Sequence, residues 1–114
     1  MITESNTRKI GEIDIVDISG RLNIGHVLQT IEQSILDLIA QGSRRLVINV
    51  AGLTSIDSAG IGMLMACSGQ MEQQHGKLRI TGAQGGVART FEVVRMDRVA
   101  ALDVDVDTAC RALQ

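Results

Sequence analysis

The stretch that most constrains this chain is Leu46 to Gln74, LVINVAGLTSIDSAGIGMLMACSGQMEQQ. It opens on Leu46-Val47-Ile48-Asn49-Val50, where apolar residues do not strictly alternate, the pattern of a strand buried on both faces. It closes on a helical pattern from about Ala59 to Gln74. Between them a short loop ends in Asp57-Ser58-Ala59-Gly60, where Ser58 or Asp57 is the natural N-cap. A hydroxyl is thus offered at the positive end of a helix, above the carboxyl end of a central strand. In open α/β sheets, ligands and partners dock at that edge. On geometry alone Ser58 reads first as a cap, because serine is common there.

The helix adds a second expectation. At about 100° per residue, Ile61, Leu64, Cys67, Ser68 and Met71 fall on one face, expected to be buried. Ala59, Gly62, Met63 and Ala66 fall on the other, followed by Gln70 and Gln74. A side facing only solvent would carry charges. Small residues and one flexible Met instead predict a flat patch beside Ser58, covered either by another protein or by another element of the same domain.

The order of elements follows from patterning. Residues Met1 to Arg8 suit an edge strand, with a turn near Lys9-Ile10-Gly11, and Ile13 to Ser19 alternates as a half-buried strand. A helix from about Gly25 to Ala40 carries Leu28, Ile31, Ile35, Leu38 and Ile39 at helical spacing and stops at Gly42. After the central strand and helix, Lys77 to Thr81 alternates, and Gly82–Gly86 reads as a loop. Val87, Phe91 and Val94 mark a shorter helix, Leu102–Val104 a brief strand, and Asp105 caps a last helix. The order β-β-α-β-α-β-α-β-α implies right-handed crossovers and mostly parallel pairing, with the first two strands antiparallel at one edge.

At 114 residues the chain reads as a single domain spanning 1–114, and its 45% hydrophobic and 21% charged content is that of a soluble globular protein. Phe91 is the only aromatic, so the core is expected to be aliphatic. A net charge of −2 with no basic cluster argues against nucleic acid, as does the lack of aromatics for base stacking. The start MITESNTRKIGE lacks a signal-peptide apolar region, and no run approaches the roughly 18 apolar residues of a membrane span. Cys67 and Cys110 both fall at helix-core positions and read as reduced structural thiols, so a cytoplasmic location without membrane contact is expected.

The segment Leu46–Leu64, with Asp57-Ser58-Ala59-Gly60-Ile61-Gly62 at its centre, resembles the STAS domain of bacterial anti-sigma factor antagonists. The resemblance runs from roughly residue 13 to 113 and includes Phe91-Glu92-Val93-Val94-Arg95-Met96-Asp97-Arg98-Val99. It implies a STAS-type α/β single domain, with a mixed, mostly parallel central sheet and about four helices. It also implies a binding module whose serine at Ser58 is phosphorylated by an anti-sigma factor that is itself a serine kinase, with a serine phosphatase reversing the reaction. Asp57, Ala59, Gly60, Gly62 and Met63 would frame the docking surface, with Asn23, Ser55 and Ile56 near its rim. Asn23 is a departure, because many antagonists carry Asp at that place in a G-x-L-D turn.

Catalysis finds little support in the residues themselves. His26 and His75 lie at opposite ends of different helices, and eight residues of helix put Cys67 and His75 about 12 Å apart. No CxxC or HExxH spacing offers a metal site, and Gly82–Gly86 lacks the Lys-Ser/Thr of a phosphate loop. No base is identifiable beside Ser58. The expectation is a non-enzyme without cofactor or metal, with Ser58 the target of another enzyme and Thr54 and Ser55 its rivals.

Overall fold

The computed structural model describes residues 2–114; Met1, which the predicted edge strand included, lies outside the described residues. The elements run β1 (Glu4–Ile10), β2 (Ile13–Leu22), α1 (His26–Ala40), β3 (Arg45–Ile56), α2 (Ser58–Gln73), β4 (Lys77–Thr81), α3 (Gly85–Val94), β5 (Ala101–Asp103) and α4 (Val106–Leu113). A single 3-10 turn at Met96–Arg98, which no sequence pattern announced, links α3 to β5. The five strands form one sheet in the order β1-β2-β3-β4-β5. β1 is antiparallel to β2 and every other neighbour pair is parallel, as the alternation of strands and helices requires.

Because consecutive strands are neighbours, three right-handed crossovers put α1, α2 and α3 on one face of the sheet. Val16, Ile18, Ile35, Ile48, Leu64 and Ile80 share the large aliphatic core on that side, with Phe91 completing it under α3. Among the described residues only α4 reaches the opposite face, where Ala109, Cys110 and Leu113 cover Ile13, Ile15 and Val47. The central strand therefore buries Leu46, Ile48 and Val50 forward and Val47 backward, which explains its unbroken apolar run.

Beyond α4 the back face turns polar. Asp17 accepts from Arg8 Nε at 2.8 Å and from Asn49 Nδ2 at 2.8 Å, tying β1, β2 and β3 together. The Arg8 guanidinium, more than any other neighbour, holds the Asp17 carboxyl below the usual carboxylate range. Arg79 forms a two-point pair with Asp103 at 2.7 and 3.0 Å, joining β4 to the short edge strand β5.

Several boundaries differ from the sequence reading: β1 runs to Ile10 rather than Arg8, β2 runs past Ser19 to Leu22, and α3 begins at Gly85, inside the expected Gly82–Gly86 loop. The loop expected after Val50 is strand as far as Ile56, because β2 continues beside it, with Gly20 opposite Leu53 and Leu22 opposite Ile56. The ladder absorbs two register shifts, between Asp17 and Ser19 and between Gly20 and Arg21. Thr54 and Ser55 consequently lie on a strand rather than in the expected loop.

Candidate docking and modification site

Where β3 ends, a single residue turns the chain into α2. Asp57 takes an extended conformation as the N-cap, and its carboxylate accepts the Gly60 N–H at 2.9 Å. The other carboxylate oxygen accepts the Ile24 N–H at 2.8 Å, across the gap to the loop between β2 and α1. The Ile24 amide and then the Gly60 amide hold this carboxyl below its usual range. The sequence left the cap open between Asp57 and Ser58, and the backbone assigns it to Asp57.

Ser58 is thereby the first residue inside the helix, exposed, and its hydroxyl has no hydrogen-bond partner among the described residues. The two rival hydroxyls are placed differently. Thr54 Oγ1 donates to the Gly20 carbonyl at 3.1 Å, and Ser55 is half-buried on β3.

Gly60 is required by close approach. A Cβ there would run into the Leu22 carbonyl oxygen and lie 2.7 Å from Ile56 Cγ1, so the first turn of α2 sits directly on the end of β2. This corrects the expectation that Gly60 frames an outer surface, since it is buried. Met63 is likewise corrected. It is only 2% exposed and belongs to the front core. The buried arc of α2 is wider than a single stripe because α2 meets β3, β4 and α1 at once.

The side facing solvent carries Ser58, Gly62, Met65, Ala66 and Gly69. Met65, 49% exposed, holds the place the sequence reading gave to Met63. It stands seven residues from Ser58, within about 20° of it around the helix, and that phase was the signal available in the sequence. Asn23 is exposed on the neighbouring loop, while Ser55, Ile56, Asp57 and Ala59 are half-buried. Ile24 and Val27, 80% and 48% exposed, are large apolar side chains at the same sheet edge that the sequence reading passed over.

Reactive groups elsewhere are subdued. Burial pushes the Cys67 thiol up to about 12 and raises Cys110 as well, so neither is a thiolate at neutral pH. The two thiols lie in separate cores on opposite faces of the sheet. His26 and His75 are exposed at different helix ends. Among the described residues, no group of three His, Cys, Asp or Glu side chains converges as a metal site would, and no helix is long and apolar enough to cross a membrane.

A family model described as Mlab, STAS domain matches residues 5–104. The chain belongs to the STAS domain family. Solved structures share the fold of this STAS domain along nearly its whole length. An anti-sigma factor antagonist from Mycobacterium paratuberculosis is 22% identical with a TM-score of 0.85, the match covering 98% of this chain and 94% of that one. The Bacillus cell fate determinant SpoIIAA in its phosphorylated form is 18% identical with a TM-score of 0.77, over 97% of this chain and 100% of that one. A sulfate transporter family protein from Wolinella succinogenes is 14% identical with a TM-score of 0.77, over 91% of this chain and 86% of that one. These identities speak for a common fold, which the STAS domain here shares with antagonists and with a transporter-family protein alike.

Proposed function

We propose that this chain is an anti-sigma factor antagonist, a non-enzymatic binding module acting in the cytoplasm and switched off by phosphorylation of Ser58. The observation that carries the reading is the exposed, unbonded Ser58 hydroxyl on the first turn of α2, freed from capping because Asp57 does that work. Unmodified, the module sequesters an anti-sigma factor and frees a sigma factor. The anti-sigma factor is a serine kinase that transfers the γ-phosphoryl group of ATP to Ser58, and a serine phosphatase restores the hydroxyl.

The docking surface comprises Asn23, Ser55, Ile56, Asp57, Ala59 and Gly62 around Ser58. Gly60 and Met63 leave the set because they are buried, and Ile24, Val27 and Met65 join it. A phosphate on Ser58 brings roughly −1.5 to −2 charges to a surface whose one carboxylate is Asp57. The helix N-terminus favours an anion by about 0.3–1 kcal/mol, and the Asp57 carboxylate beside it opposes that. The fold is therefore expected to survive while the surface becomes strongly negative, which is what a binding switch needs.

Incubation with the anti-sigma factor kinase and ATP, followed by intact mass and fragment mapping, tests the reading. One phosphate on Ser58, absent from Ser58→Ala, supports it. Phosphate on Thr54 or Ser55 instead, or none, points to the second reading, a non-switching scaffold subunit of a transporter or signalling complex. That reading is favoured by the shared fold of the sulfate transporter family protein.

A further inference from the structure

The Asp57 carboxylate has two acceptor oxygens, and the molecule uses them on different elements. Oδ1 caps α2 through the Gly60 N–H, and Oδ2 receives the N–H of Ile24 in the β2–α1 loop, 33 residues earlier in the chain. That loop has little else to fix it. Asn23, Ile24 and Gly25 are all exposed. Helix α1 starts from Gly25 with no side-chain cap of its own, and Gly25 sits at φ +152, a conformation side chains rarely adopt. Ile24 is 80% exposed, so burial of its side chain does not hold it either.

We propose that Asp57 is a positioning residue of the docking surface: its carboxylate clamps the β2–α1 loop to the first turn of α2, presenting Ile24 beside Ser58 in a fixed pose for an apolar recess on the partner. The proposal deepens the antagonist reading and rests on it for the partner. The clamp itself belongs to the free protein. A hydrogen bond to an ionised carboxylate is roughly twice as strong as a neutral one, which suits a single bond holding an exposed loop. Fixing the loop beforehand lowers the ordering cost on association, so the clamp acts on affinity without Asp57 needing to touch the partner.

Asp57→Asn in the full chain separates the two tasks. Its Oδ1 still accepts from Gly60, and Asn caps helices as well as Asp does. Its Nδ2 is a donor, so nothing remains to receive the Ile24 N–H. Asp57→Ser, which also caps but is too short to span to Ile24, is the second variant if the first folds poorly.

Amide exchange should rise about tenfold or more at Ile24 while Gly60 and the melting temperature stay near wild type. Titration of the unmodified protein with the serine-kinase anti-sigma factor should show about tenfold weaker binding for Asp57→Asn. Combined with Ile24→Ala, it should add much less than the product of the two single effects, because both remove the same contact. Unchanged Ile24 exchange overturns the clamp, and multiplicative single effects overturn its action through Ile24. If the wild-type chain binds no anti-sigma factor, the antagonist reading fails and takes the docking half with it. The exchange comparison still decides the clamp.

Discussion

On one long side of α2, Gly60, Met63, Leu64, Cys67 and Met71 are buried against the sheet and α1; on the other, Ser58, Gly62, Met65, Ala66 and Gly69 face outward. The buried side is explained from within. Each residue fills aliphatic space, except Gly60, which leaves room for the Leu22 carbonyl. The outward side lacks such an account. Between Ser58 and Gly69 it has no charged residue, and a Cβ on Gly62 or Gly69 would meet nothing within 4 Å. A helix-interior glycine costs about 1 kcal/mol relative to alanine, so the molecule gives up stability there without a gain of its own. On the proposed function, the two sides answer to different requirements: packing within the domain, and low relief for a partner outside it.

Substitutions that exchange the character of the two sides test that contrast. Met63→Glu should have the largest effect, on the order of 3–5 kcal/mol, because it leaves an unpaired carboxylate in the front core. A melt or urea titration close to wild type would return Met63 to the surface. Leu64→Ala should cost about 2–5 kcal/mol by opening a cavity at a fully buried site, read by the same titration.

On the outward side the signs and sizes change. Gly62→Ala should raise stability by up to about 1 kcal/mol, since the backbone is helical and the space is open, yet weaken partner binding. Higher stability with unaltered affinity would remove Gly62 from the interface. Met65→Glu should alter stability by no more than about 0.5 kcal/mol while weakening the complex. A marked loss of stability would show that Met65 packs within the domain.

The same contrast marks how far the sequence could be read. Element order and the antiparallel edge were legible because long apolar periodicities and glycine stops are local signals. The buried arc around Leu64, Cys67 and Met71 followed for the same reason. The extension of β3 through Ile56 was not legible. AGLTSI has neither period nor density of its own, and becomes strand only because β2 runs beside it to Leu22. Met63 and Met65 differ by two helical positions, and a pattern of small residues did not fix the phase closely enough to choose between them. At the site, the motif placed Ser58 correctly at the start of α2. The choice of Asp57 over Ser58 as cap depended on a backbone conformation, and the Asp57–Ile24 bond on a contact between segments 33 residues apart. Neither leaves a trace in local sequence.

The central claim is that the outward side of α2 is a docking surface governed by Ser58. The most direct measurement is a titration of the serine-kinase anti-sigma factor with the unmodified chain and with the chain phosphorylated at Ser58, alongside thermal melts of both forms. The account predicts affinity at least about tenfold weaker for the phosphorylated form, a difference of about 1.4 kcal/mol, with the melting temperature nearly unchanged. Equal affinity for the two forms would contradict it.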